Sequence, residues 1–383
     1  MIVAGERSGD IYGGALAQAL RARLPDLEIF GCGGDAMRQA GVTTVVDAHR
    51  IAIAGITEVI SGIPRAYRAL HHLLREADLR QPQVAVLIDF PDFNLRLARH
   101  LKNRSVPVVY FVSPQVWAWR RGRVQELKKR VAKMVVIFDF EEEIYQQAGV
   151  PVEYVGHPLV DMVRPPLPRE EFFAKVNMDA SLPTVALLPG SRQKEVAANL
   201  PVMLEAAERL ARNRPIQFVV AVAPTIDASW LESTLLERYA GRVTVCAALD
   251  ATSDAMQHAN AAVIASGTAT LEAALRNCPM VVVYRVSALT WLVGKLLVKV
   301  PYYSMINILA RKELVPELMQ NNFTAAEVAA KVEYLLDYPD AKEEMIRGFN
   351  SVRQRLGSGG AIEHAADAIM GVLQVSAATR KTG

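Results

Sequence analysis

Apolar positions along the chain follow two alternating rhythms. Short runs of almost wholly apolar residues, IVA at 2–4, VAVLI at 84–88, VPVVYFV at 106–112 and KMVVIF at 133–138, predict strands covered on both faces, as in a parallel sheet. Between them apolar residues recur every three or four positions, as in IYGGALAQALRARL, which predicts amphipathic helices. Residues 1–34 read as strand, polar loop, helix and strand (LEIFG), and residues 184–222 repeat the plan with TVALL, PGSRQ, KEVAANLPVMLEAAERLA and IQFVVAV. VTVC, AAVIA and MVVVYR continue the second series. Two such openings predict two doubly wound α/β domains. Between them lies RPPLPREEF at 164–172, whose three prolines in five residues make a stiff spacer. The expected division is therefore 1–163, 164–345 and a helical tail at 346–383 that packs back toward the first domain. From about residue 324 onward the pattern is helical, with no further strand signal.

Composition narrows the class. The 383 residues leave room for two separate cores, and 51% hydrophobic with 22% charged residues is the balance of a folded globular protein. A formal charge of +3 is too weak to argue for nucleic acid and suits an anionic substrate or membrane surface. Cys32, Cys246 and Cys278 form no CxxC pair, so neither a disulfide framework nor a zinc site is expected, and a reducing compartment is. The opening MIVAGERSGD has no basic leader, which points to the cytoplasm, although a first strand at residue 2 is short enough to suggest an upstream start. ALTWLVGKLLVKVP carries Lys295 and Lys299, which disqualify it as a span but not as a segment lying on a membrane.

In doubly wound sheets ligands sit beyond the carboxyl ends of the strands, and each unusual motif follows a predicted strand. In SGTATLE, Ser266 and Thr268 are good helix N-cap types, and Gly267 admits a ligand close to the backbone. Glu272, about one turn into the helix, suits a pair of neighbouring hydroxyls such as those of a ribose; simple compensation of the helix dipole explains it equally well. PGSRQKE adds Gly190, Ser191 and Arg192. A guanidinium there can neutralise charge on a departing diphosphate, whereas without an anion a cation at a helix start is electrostatically unfavourable. VAGERSGD lacks the GxGxxG spacing, and GxxxxGK[ST] is absent, which argues against hydride transfer and NTP hydrolysis.

DFPDFN places Asp89 directly after a buried-type strand, where Phe90 and Phe93 can exclude water and raise its pKa for work as a general base. Glu6 and Asp10 of GERSGD compete for that role, Ser8 and Gly9 shape the loop, and Asp92 and Asn94 are expected to cap the next helix. In SPQVWAWRRGRVQELKKR, Trp117 and Trp119 precede a basic helix; a solvated helical face over packed indoles outweighs nucleic-acid binding. His157 in VGHP reads as a packing residue.

Taken together, VAGERSGD, DFPDFN, VSPQVWAWR, VGHP, LLPGSR, ASGTATLE and SMINILARKELVPELMQ resemble the lipid-A-disaccharide synthases, in order and over nearly the whole chain. The resemblance implies a GT-B glycosyltransferase: two Rossmann-like domains facing a cleft. It implies inverting transfer from UDP-2,3-diacylglucosamine to 2,3-diacylglucosamine 1-phosphate, giving a β-1′,6-linked disaccharide 1-phosphate and UDP. By the same resemblance Gly190, Ser191, Arg192, Ser266, Gly267, Thr268 and Glu272 hold UDP, with Asn307, Glu313 and Gln320 beside the donor. Ser8, Asp10, Asn94 and Trp117 face the acceptor, and Asp89, or else Glu6, takes its proton. No DxD spacing occurs, so Arg192 and helix dipoles, rather than a metal or other cofactor, are expected to stabilise the leaving group. Acylated substrates turn the stripe Ile56, Val59, Ile60 and Ile63, with Arg65 and Arg68, into a candidate membrane or acyl-chain face. The implied partners are the two lipid substrates and the anionic cytoplasmic face of the inner membrane, without nucleic acid; a homodimer is compatible. MurG-like transferases and UDP-sugar 2-epimerases share a loop like SGTATLE but not DFPDFN or VSPQVWAWR, and a non-catalytic nucleotide-regulated protein has no need of Asp89.

Overall fold

The computed structural model describes residues 1–48, 56–116, 122–223, 226–286 and 301–382, apart from the side chains of 56–62 and 377–382. They form two units: Met1–Asp161 with the segment from Leu356 onward, and the described residues between Met162 and Arg355.

The first unit is built on seven parallel strands in the order β3-β2-β1-β4-β5-β6-β7. They are β1 (Ile2–Ala4), β2 (Phe30–Gly33), β3 (Thr43–Asp47), β4 (Ala85–Ile88), β5 (Val108–Phe111), β6 (Lys133–Val136) and β7 (Val152–Tyr154). The connecting helices are α1 (Arg7–Arg23), α2 (Asp35–Gln39), α3 (Ile56–Arg80), α4 (Pro91–Lys102), α5 (Arg123–Arg130), α6 (Asp139–Gln147) and α7 (Leu159–Met162). Helices cover both faces, so β1, β2, β4 and β5 are buried at every position, which is why their sequences are continuous apolar runs rather than alternating ones. The chain departs from β1 toward one edge and from β4 toward the other. The gap between their carboxyl ends is the topological switch point.

The second unit repeats this with six parallel strands in the order β10-β9-β8-β11-β12-β13. They are β8 (Thr184–Leu188), β9 (Gln217–Val222), β10 (Val245–Leu249), β11 (Ala261–Ala265), β12 (Met280–Tyr284) and β13 (Glu317–Met319), and the switch point lies between β8 and β11. Its helices are α8 (Arg169–Lys175), α9 (Gln193–Ala211), α10 (Ala228–Leu231), α11 (Thr252–His258), α12 (Ala269–Leu275), α13 (Met305–Ala310), α14 (Ala325–Asp337) and α15 (Pro339–Arg355). The proline-rich spacer is fastened to this unit at three points. Leu167 N donates to Asp254 at 2.8 Å, the His258 ring lies 2.7 Å from the Leu167 carbonyl, and Arg276 donates to the Arg164 carbonyl at 3.0 Å.

The last helix, α16 (Ala361–Thr382), belongs to the first unit and packs along α1. Arg23 of α1 donates to Glu363 at 2.7 Å and to Asp367 at 2.8 Å, while Asp161 accepts from the amides of Gly360 and Ala361 at 2.8 and 2.9 Å. No helix among the described residues is long and apolar enough to cross a membrane. On α3, Ile63 and Tyr67 are 52% and 62% exposed beside exposed Arg65 and Arg68; the side chains of Ile56, Val59 and Ile60 lie outside the described set, as does TWLVGKLLVKV.

Candidate active-site loops at the two switch points

At the switch point of the first sheet the connections are as short as the fold allows: Gly5 and Glu6 between β1 and α1, Asp89 and Phe90 between β4 and α4. The two connections differ: Glu6 keeps ordinary extended backbone, with φ −132° and ψ 163°, and the turn after β4 does not. Asp89 and Phe90 both have left-handed backbones, with φ of 46° and 49°. Phe90 also precedes Pro91, a position that ordinarily favours extended backbone, so strain of about 1–3 kcal/mol per residue is held in this turn. What holds it is a set of hydrogen bonds to the main chain. Asp89 N donates to the Phe111 carbonyl at 3.0 Å; the Asp89 carbonyl accepts from Tyr110 Oη at 2.7 Å and from Asn94 Nδ2 at 2.8 Å. Asn94, fully buried, also donates to the Ile88 carbonyl at 3.2 Å. The expectation that Asp92 and Asn94 cap α4 is thereby corrected. Phe90 is the cap residue, no side chain caps it, Asn94 supports the turn from within the helix, and Asp92 pairs with Arg123.

The result is a half-buried carboxylate whose pKa is pushed up to about 7, by burial first and by the nearby Glu6 charge second. The aromatic ring beside it is wedged against the β1 loop: a Cβ on Gly5 would lie 2.3 Å from the Phe90 ring. Glu6 is exposed at the start of α1 and Ser8 is half-buried one turn on. Asp10 is committed elsewhere. Its buried carboxylate accepts the amides of Gly34, Ala36 and Met37 at 2.6, 2.9 and 3.2 Å, where it fastens the start of α2. Trp117 lies outside the described residues. His157 is buried against Tyr12 and Phe138, its Nδ1 accepts from Leu159 N at 3.1 Å, and burial lowers its pKa to about 4.

The corresponding loops of the second sheet are longer and open. Residues 189–192 join β8 to α9, with Gly190 at φ 132°, and 266–268 join β11 to α12. Ser191 and Arg192 are exposed, and Glu195 from the first turn of α9 reaches back over them, accepting from Ser191 N at 3.2 Å and Arg192 Nη1 at 3.3 Å. Side-chain carboxylate thus already occupies a donor set suited to an anion. In the other loop Gly267 and Thr268 are exposed, and Ser266 is half-buried. Thr268 is the cap residue of α12 but its side chain caps nothing, and Thr270 instead turns its hydroxyl to the Gly267 carbonyl at 2.8 Å. Glu272 is half-buried and Oε1 accepts from Ser253 at 2.5 Å.

Residues 304–320 sort differently from one another. Asn307 is fully buried with both ends of its amide engaged: Nδ2 donates to the Val315 carbonyl and to Glu317 at 2.8 Å each, and Oδ1 accepts from Leu314 N and Val315 N at 2.8 and 2.9 Å. It staples the segment rather than presenting a free group. Gln320 pairs with both main-chain groups of Val286, and Glu313 is exposed. Sequence reasoning missed Glu195, Ser253, Arg276 and Glu317; the last accepts from Tyr303 N, Ser304 N and Ser304 Oγ as well as Asn307.

A family model described as lipid-A-disaccharide synthetase matches residues 1–361. The chain belongs to this family. It is 46% identical over 383 residues to a lipid-A-disaccharide synthase of Koribacter versatilis, with 98% of each chain covered. It is 45% identical over 375 residues to one of Myxococcus xanthus, with 97% of each covered. Membership makes it a glycosyltransferase of lipid A disaccharide synthesis. Among solved structures it is similar to a UDP-GlcNAc 2-epimerase from Neisseria meningitidis bound to UDP-GlcNAc, with a TM-score of 0.65 at 11% identity over 96% of this chain and 98% of that one. It is also similar to the calicheamicin glycosyltransferase CalG4, with a TM-score of 0.56 at 14% identity over 94% of each. Those likenesses establish the GT-B fold, and the family separates this chain from the epimerases that share it.

Proposed function

We propose that this chain joins UDP-2,3-diacylglucosamine to 2,3-diacylglucosamine 1-phosphate, with the work divided between the two switch points. Asp89 takes the proton of the acceptor 6-hydroxyl as that oxygen bonds to the anomeric carbon of the donor. The bond from that carbon to the diphosphate breaks on the opposite face, UDP leaves with the electron pair, and the configuration inverts. Arg192 with the loop amides at 190–191 and 267–268 receives the diphosphate charge, after Glu195 yields its place. Glu272 accepts a hydrogen bond from the ribose. The fixed positive charge of Arg192 serves where other enzymes use a metal ion, and no cofactor takes part. The acylated substrates are met at the cytoplasmic surface of the membrane, on which the enzyme sits peripherally.

The observation that carries this reading is the Asp89 turn: a strained, half-buried carboxylate with a pKa of about 7 is a poor structural element and a suitable general base. Incubating the full chain with both acylated substrates in EDTA is expected to give UDP and the tetraacyl disaccharide 1-phosphate by mass spectrometry. No joined product with or without magnesium overturns the proposed reaction, and product that requires magnesium overturns the metal-free step.

A further inference from the structure

Glu272 can face a ribose only if something decides which of its oxygens is free, and two residues of neighbouring elements do so. Ser253, at the start of α11, donates its hydroxyl to Oε1 at 2.5 Å. Arg276, just past the end of α12, forms an ion pair with the same oxygen, Nε to Oε1 at 3.5 Å, a separation at which its buried Nε makes no hydrogen bond. Its guanidinium is almost wholly buried and anchored at its other end, where Nη2 donates to the Arg164 carbonyl at 3.0 Å and Nη1 to Gln257 Oε1 at 3.4 Å. Both contacts fall on one oxygen. No described residue donates to Oε2, and the side chain retains 20% exposure. Burying a cation is costly without a counter-charge, so Arg276 holds the Glu272 carboxylate beside it, and Ser253 fixes its rotation.

We infer that Ser253 and Arg276 are positioning residues that hold Oε1 of Glu272, the first by a hydrogen bond and the second by charge, and aim Oε2 as an acceptor for the ribose 2′-hydroxyl, which makes the donor site selective for ribonucleotides over 2′-deoxyribonucleotides. This rests on the proposed nucleotide site and adds the residues that orient it. A carboxylate with one oxygen immobilised offers a single directed acceptor. A freely rotating one meets solvent as readily as ligand, so its preference for the hydroxyl is small.

The test is calorimetric binding of UDP and of 2′-deoxy-UDP to the full chain. Wild type is expected to bind UDP about tenfold or more tightly than the deoxy compound, the range of one hydrogen bond to a charged group. Ser253→Ala is expected to reduce that ratio below about threefold by weakening UDP while leaving the deoxy compound within about twofold, and Ser253→Thr, which keeps the hydroxyl, to restore it. A wild type that binds neither compound overturns the nucleotide site itself. Equal binding of both by wild type, an unchanged ratio in Ser253→Ala, equal weakening of both compounds, or failure of threonine to restore the ratio each overturns the clamp while leaving that site in place.

Discussion

The two sheets share one topology and place their loops at equivalent crevices, yet the carboxyl ends carry opposite chemistry. In the first, the connection after β4 sets Asp89 and Phe90 in left-handed backbone and holds a carboxylate in half-buried surroundings, where burial pushes its pKa up to about 7. In the second, the four residues 189–192 and three residues 266–268 form longer connections, leave Gly267 exposed and present the exposed guanidinium of Arg192. The turn after β4 half-buries a carboxylate beside Glu6 and so raises its pKa, whereas the loops of the second sheet offer donors of fixed sign.

The comparison breaks or sharpens first on activity. Asp89→Asn is expected to lower turnover by about 10³-fold while leaving UDP affinity within about twofold, because a general base does not hold the donor. Arg192→Ala is expected to lower turnover about 10²-fold and to weaken UDP about tenfold. An exchange of these binding effects, read by calorimetry beside the rate assay, would invert the assignment of the two ends.

The second test is pH. A base with a pKa of about 7 must be ionised to act, so kcat/KM is expected to rise about tenfold per unit below pH 7 and to level above it. Stability runs the other way. The folded chain holds the Asp89 proton to higher pH than the unfolded chain, whose Asp loses it near 3.8, so stability falls as pH rises from about 4 to 7 and stays reduced above. Asp89→Asn should accordingly be more stable than wild type at pH 8, by about 2–4 kcal/mol, with the gap closing toward pH 4 in urea titrations. A gap of constant size would remove the titrating acid from the comparison.

The smallest effects come from the glycines. Gly5→Ala sets a methyl 2.3 Å from the Phe90 ring, at about 2 kcal/mol in urea unfolding, and should lower kcat with little change in UDP affinity. Gly190→Ala, at φ 132° with Glu195 Cβ 2.7 Å away, should cost about 1 kcal/mol and weaken UDP about threefold instead.

Much of this frame was legible because parallel strands covered on both faces write themselves as apolar runs, and the loops that follow them stand out by contrast. The edge strands were not: β3 is partly exposed and β13 has three residues, too few for any periodicity, and β10 starts two residues later than the VTVC run suggests. Residue types in the loops pointed to Asp89, Arg192 and Glu272. Their supports, Tyr110, Asn94, Glu195, Ser253 and Arg276, act through contacts that depend on which helix comes to lie beside which strand end, as when Ser253 meets Glu272 nineteen positions on. Asn307 is a different case: both ends of its amide are engaged within its own segment, which its residue type could not reveal.

Because α16 completes the first unit, that unit is not made from one stretch of chain. During translation residues 1–161 leave the ribosome before the second unit, and α1 then waits for Glu363 and Asp367 until just over two hundred further residues have been added. The half-built unit lacks the helix that packs along α1, so a chain truncated before residue 356 is expected to give a lower soluble yield than the full chain on expression.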